Sequence, residues 1–136
     1  DVDQGRVIDV GKVMNQPVIL DLSRTLTECV DAMGDRRGGF CCDADGRPTA
    51  LLAMTDAATA LAHGTTDPAS VVRSDFDTTT AEARFNDNYA AAGRGLPIAV
   101  LDETGRIVGE LEPREIMEEM GRVEQLVDGF EREVFL

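Results

Sequence analysis

Positive charge, aromatic side chains and long apolar runs are all scarce in this chain. Only 13 Lys and Arg stand against 26 Asp and Glu, a formal net charge of −13. Phosphate backbones are held by clustered cations, so this balance argues against nucleic acid as a partner and against an extended basic face for anionic lipid. Histidine occurs once, at His63 beside Gly64. With no Ser or Cys assignable to it, it makes no catalytic triad, and alone it offers too few ligands for zinc. No stretch approaches the roughly 20 apolar residues of a membrane span, and no charged start leads into an apolar run as a signal peptide does. The chain reads as soluble and cytoplasmic, with no direct membrane insertion.

Cysteine is also sparse: Cys29, Cys41 and Cys42. Their number is odd, and neighbours on a strand point to opposite faces, so the reading is ordinary core thiols rather than a disulfide framework or a zinc site. Tryptophan is absent and aromatics make up 4%. The core must be built from Ala, Val, Leu, Ile and Met, which suits small helices on short strands. At 136 residues the chain can form one compact domain or two small units that share a core.

What is present is a repeat. The turn Asp43-Ala-Asp-Gly46-Arg47 recurs 59 residues later as Asp102-Glu-Thr-Gly105-Arg106. Each turn lies between apolar runs, Phe40-Cys41-Cys42 and Ala50-Leu51-Leu52 in the first copy, Ile98-Ala99-Val100-Leu101 and Ile107-Val108 in the second. An apolar run, an Asp-x-x-Gly turn and another apolar run predict a β-hairpin. A helical face precedes each hairpin: Leu26, Cys29, Val30 and Met33, then Ala81, Phe85, Tyr89 and Ala92. Thr25 and Thr79 or Thr80 are the expected N-caps, Gly34 and Gly93 the expected stops. A second helix follows each hairpin, from about Thr55 to Ala62 with Ala57, Ala58, Leu61 and Ala62 on its inner face, and from Pro113, whose fixed φ suits a first turn. A strand at Val18-Ile19-Leu20 opens the first copy, and a weaker one near Asp75 to Thr78 the second.

This order, with Val13-Met14 before Pro17-Val18, Asp31-Ala32-Met33 at the end of the first helix, Pro97 before Val100-Leu101-Asp102-Glu103-Thr104-Gly105, and then Val108-Gly109, resembles a tandem cystathionine-beta-synthase (CBS) domain pair over nearly the whole chain. The resemblance implies an α/β (α+β) fold of two β-α-β-β-α repeats packed through their small sheets. Residues 11–63 form the first repeat, 64–68 a linker, 69–120 the second repeat and 121–136 a helical extension. The opening Asp1-Val2-Asp3-Gln4-Gly5-Arg6-Val7-Ile8 resembles the connector that precedes the CBS pair in glycine betaine/proline ABC transporter ATPases. Residues 1–10 are therefore expected to lead from an upstream ATP-binding cassette. The chain carries neither a G-x-x-x-x-G-K-[ST] phosphate loop nor the signature LSGGQ, so it should not hydrolyse ATP by itself.

In many pairs of this family an adenine nucleotide lies in a cleft between repeats, held by a Thr or Ser at the end of the third strand and an Asp three residues on. Here Ala53 and Glu112 stand at the hydroxyl positions, followed by Asp56 and Glu115. The ligand-binding residues that the resemblance implies are Val18, Phe40, Thr55, Asp56, Pro97 and Glu115, for an adenine nucleotide or cyclic di-AMP. Glu112 would set a negative charge beside a phosphate, while Thr55 or Asp56 could instead cap its helix. At the C-terminus Ile116, Met120, Val123, Val127, Phe130 and Val134 recur at spacings of 4 and 3, the seam of a coiled coil or of a helix lying on another surface. A homodimer through that seam is one expectation, packing within the monomer the other.

Function then reads as non-catalytic regulation of an ABC importer of compatible solutes such as glycine betaine or proline, at the inner face of the cell membrane beside the cassette and the permease. The other readings are a free-standing nucleotide-binding CBS protein that regulates another enzyme, and a ligand-free dimerisation module.

Overall fold

The computed structural model describes residues 9–84, 88, 91, 93–115 and 118. In order these form α1 (Val10–Val13), α2 (Leu26–Met33), β1 (Gly38–Cys42), β2 (Pro48–Ala53), α3 (Met54–Ala62), a 3₁₀ turn (Pro68–Ser70), β3 (Thr78–Thr80), β4 (Ile98–Leu101) and β5 (Ile107–Leu111). Residues 113–115 are helical, beginning at Pro113.

The 59-residue offset holds residue for residue. In the first hairpin Gly39 faces Leu52, Phe40 faces Leu51, and the register slips between Cys41 and Cys42. In the second Ile98 faces Leu111, Ala99 faces Glu110, and the slip falls between Val100 and Leu101. Each hairpin also takes a parallel neighbour at the matching place, Ile19 on Phe40 and Thr78 on Ala99. The turns share their chemistry. The Asp43 carboxylate accepts the N–H groups of Asp45 and Arg47, and Asp102 those of Thr104 and Arg106, at 2.9 and 3.0 Å in each turn. Gly46 and Gly105 take φ of 84° and 86°, a left-handed conformation that L side chains resist. The two turns then meet: Ile107 N–H donates to the Gly46 carbonyl, and Arg47 Nε to the Thr104 carbonyl.

Local signals around the first hairpin act as expected. Thr25 caps α2 in a full capping box with Glu28, and Gly34 ends it. Three expectations are corrected. Thr79 and Thr80 are not caps but lie in β3, where β-branched side chains are favoured, two residues later than the strand read near Asp75 to Thr78. The N-cap of α3 is Ala53, without a side-chain cap, so neither Thr55 nor Asp56 caps that helix. On α3 only Ala57 is fully buried, flanked by half-buried Met54, Ala60 and Leu61, while Ala58 and Ala62 face outward. Phe85, Tyr89 and Ala92 lie outside the described residues, as do Ile116, Met120, Val123, Val127, Phe130 and Val134 of the C-terminal seam.

The lead-in segments cross over. Asn15, ahead of the first repeat, bridges Glu110 of β5, and Arg73, ahead of β3, bridges Leu51 of β2. Val10 is fully buried against Ile98, Val100 and Leu111 of the second repeat. The segment from Asp9 to Asn15, read as connector and start of the first repeat, therefore packs on the second. Between the two hairpins lies a shared core of Phe40, Leu51 and Ala99, with Phe76 edge-on to Phe40 at 5.6 Å. Leu26, Cys29, Met33, Cys41, Leu52 and Ala57 form the first repeat's own core. There burial pushes the Cys41 thiol up to about 11, which keeps it protonated and inert.

Candidate functional site: two clefts at the crossing of the repeats

Each crossing leaves a cleft beside it. The first, about 490 Å³, is lined by Asn15, Asp35, Arg36, Arg37, Glu112, Arg114 and Glu115. Among the described residues no apolar side chain lines it. The second, about 410 Å³, is lined by Arg73, Ser74, Asp75, Phe76, Asp77, Arg94 and Leu96. The 59-residue offset relates them, since Ser74 stands for Asn15 and Leu96 for Arg37.

The first cleft has an acidic floor. Glu110 occupies the place that Leu51 fills in the first hairpin and is likewise fully buried. Its Oε1 accepts the Val18 N–H at 2.7 Å, and its Oε2 lies 3.3 Å from Arg36 Nη1. Burial pushes its carboxyl up to about 8, and the neighbouring Glu112 carboxyl adds to the rise. Two adjacent carboxyls that share one proton behave this way, because neither readily holds a second negative charge away from water. Glu112, 4% exposed, accepts the Arg37 N–H at 3.2 Å. Asn15 Nδ2 donates to Glu115 Oε1. Glu110 Oε2, Glu112 Oε1 and Glu115 Oε2 are buried without a hydrogen-bond donor among the described residues. Above this floor the rim carries Arg36, half-buried, with exposed Arg37 and Arg114.

In the second cleft the counterpart of Glu115 is Asp56. Arg73 reaches it with Nη2 at 2.5 Å and Nε at 3.2 Å, both on Oδ2. The pair closes over the start of α3, each side chain about a third exposed.

The residues read from sequence as ligand-binding are thus divided. Glu115 lines the first cleft, and Val18 touches its floor through the backbone. Asp56 belongs to the second cleft through Arg73. Thr55 is exposed on the first turn of α3. Phe40 is buried in the core between the hairpins, and Pro97 is buried just ahead of β4. Missed were Asn15, Arg36, Arg37, Arg114 and Glu110. The adjacent pair Arg36-Arg37 in so acidic a chain was one available signal. Aligning Gly109-Glu110-Leu111-Glu112 on Ala50-Leu51-Leu52-Ala53 was the other, since it sets carboxylates where the first copy has two buried apolar residues.

Two hairpins of matching register, each with a parallel neighbour, and helices α2 and α3 flanking the first, define the fold of a CBS domain pair. Solved structures share it. The CBS domain pair of protein MJ0100, in complex with 5′-methylthioadenosine and S-adenosyl-L-methionine, superposes with a TM-score of 0.75 at 15% identity, covering 85% of this chain and 97% of that one. Staphylococcus aureus OpuCA gives 0.64 at 16%, covering 82% and 97%. CBSX2 in complex with AMP gives 0.68 at 10%, covering 86% and 98%. The sequence matches no protein-family model and no curated protein. Among the described residues no helix is long and apolar enough to cross a membrane.

Proposed function

We propose that the chain is a regulatory module, without catalysis of its own, that controls an ABC importer of compatible solutes such as glycine betaine or proline. The observation that carries a regulatory reading is the crossing of the lead-in segments. Asn15 is tied to Glu110 and Arg73 to Leu51, so the first cleft is walled by both repeats and the second lies beside the crossing that joins Arg73 to the first hairpin. A ligand that fits one arrangement of the repeats better shifts the population toward it, and the shift reaches whatever is joined to residues 1–8. The importer is favoured by the resemblance of Asp1 to Ile8 to the connector of such ATPases. In that setting the module sits at the cytoplasmic face of the membrane beside an ATP-binding cassette and a permease, and pairs with a second copy. The net charge of −13 adds a route for ionic strength, since salt screens repulsion between such surfaces over about 8 to 10 Å. Removal of residues 1–136 from the transporter should leave uptake running while abolishing its response to osmotic upshift.

A second reading rests on the second cleft. Phe76 and Leu96 offer apolar surface to a purine, and Arg94, held by Asp77 at 3.1 Å, a cation that a phosphate would have to draw from that pair. Asp56 stands at the ribose-binding position that the family resemblance implies. Arg73 occupies Asp56, so a nucleotide must displace it. Calorimetry against AMP, ADP, ATP, S-adenosylmethionine and cyclic di-AMP should show weak adenine-nucleotide binding that Arg73→Ala strengthens about tenfold, the scale of one charge-assisted bond. Flat titrations for both proteins remove this reading.

A further inference from the structure

We propose that the first cleft binds a small zwitterion whose cation carries N–H groups, of the α-amino- or α-imino-acid class. The proposal names the ligand class of a site in the sensing module argued above and rests on that reading, although it does not depend on which transporter the module serves.

Charge comes first. Among the described residues the lining contains three guanidinium groups, on Arg36, Arg37 and Arg114, and three carboxyl groups, on Asp35, Glu112 and Glu115. A balanced site suits a ligand that is neutral overall and strongly dipolar. Depth separates most of the charge: Glu112 and half-buried Glu115 form the floor, whereas Arg37 and Arg114 stand exposed at the rim, with Asp35 the one exposed carboxylate among the described lining residues. Neither Arg37 nor Arg114 makes an ion pair among the described residues. Two available cations above and carboxylates below match a carboxylate and an ammonium a few bonds apart.

Hydrogen bonding then selects the cation. Glu112, 4% exposed, keeps Oε1 without a donor, and Glu115 keeps Oε2 without one. A buried acceptor left bare costs about 1 to 3 kcal/mol, more when charged, so the floor calls for N–H donors. A proton held between Glu110 and Glu112 leaves Glu115 Oε2 still unsatisfied. A primary or secondary ammonium supplies two or three donors. A quaternary ammonium supplies none.

Competing occupants fit less well. A purine needs apolar or aromatic walls, and the described residues of this lining supply none. A phosphate at the depth of Glu112 and Glu115 meets two carboxylates. Among the described residues no group of His, Cys, Asp and Glu is arranged to hold a metal ion.

The test is calorimetry of the full chain at neutral pH against L-proline, glycine, glycine betaine and AMP, with Glu115→Gln and the rim variant Arg114→Ala in parallel. Circular dichroism checks the fold of each variant. Saturable binding of L-proline and glycine is expected, with glycine betaine and each variant weaker by about tenfold, the scale of one charge-assisted hydrogen bond. Arg114 is exposed, so its replacement leaves the fold intact and keeps the test decisive if Glu115→Gln unfolds. No heat from either N–H zwitterion up to roughly 10 mM, the weak end of specific affinity, overturns the proposal. So does equal binding of glycine betaine, or AMP binding that Arg114→Ala weakens. A flat titration alongside a lost osmotic response on removal of the module would refute this ligand class and keep the regulatory reading; a retained osmotic response would refute the regulatory reading itself.

Discussion

Unfolding of the wild-type chain in urea is expected to become easier as pH rises from about 5 to about 8, and Glu110→Gln is expected to remove much of that slope. In the folded chain the Glu110 carboxyl titrates at about 8, well above the ordinary 4.5, because burial penalises its charge and Glu112 lies beside it. The native state therefore holds a proton that the unfolded state has released. The stability this gives is full below the ordinary value and is lost as pH climbs through the folded one. Each unit of separation corresponds to about 1.4 kcal/mol, so the effect is on the order of a few kcal/mol. Water entering the cleft and the neighbouring Arg36 bring it down.

Glutamine is the informative replacement. Its Oε1 still accepts the Val18 N–H, which sits 2.7 Å from Glu110 Oε1, and it does not titrate. Arg36 loses a charged partner but is partly exposed and also reaches the Gln16 carbonyl at 3.3 Å. Asp21, Glu28 and Asp102 titrate low because they accept hydrogen bonds from Ser23, Thr25 and Thr104. Their contribution runs the other way, is lost on acidification, and is common to both proteins, so the difference between the two curves isolates Glu110. Curves that stay parallel from pH 5 to about 8 would contradict the reading of a buried proton.

The second large effect is on the shared core. Phe40→Ala should cost about 3 to 5 kcal/mol, the usual range for truncating a buried phenylalanine. Phe40 is the bulkiest fully buried side chain among the described residues. It packs with Leu51 of its own hairpin, Ala99 of the other, and the edge of Phe76. Ala99, at the matching place in the second repeat, is too small to fill the void. The variant should therefore lose contact between the repeats as well as stability. Urea denaturation measures the loss, and a cost under about 1 kcal/mol would mean that the repeats are held together elsewhere.

The parts of the molecule legible in the sequence are those written in local pattern. The Asp-x-x-Gly turns carried their own hydrogen bonds, so Gly46 and Gly105 revealed both hairpins and the 59-residue offset. Thr25 and Gly34 bounded α2 because caps act within one turn. The clefts were not legible, for a physical reason. They are made where single backbone bridges, Asn15 to Glu110 and Arg73 to Leu51, join distant segments, and one bridge leaves no periodic trace. Glu110 stands beyond the end of the apolar run Ile107-Val108, and no local pattern marks it as buried. Its burial is tolerable only because Val18, 92 residues away, donates to it and Arg36 approaches it. Asp56 was picked out by the family resemblance, but its partner Arg73 lies 17 residues on, across the cleft. A helix cap was the simpler expectation for it.

The measurement that bears most directly on the regulatory account is solute uptake by the transporter with and without residues 1–136, followed as osmolality is raised. The account predicts that the truncated transporter still imports solute but at a rate that no longer responds to the upshift. An unchanged osmotic response without these residues would contradict it.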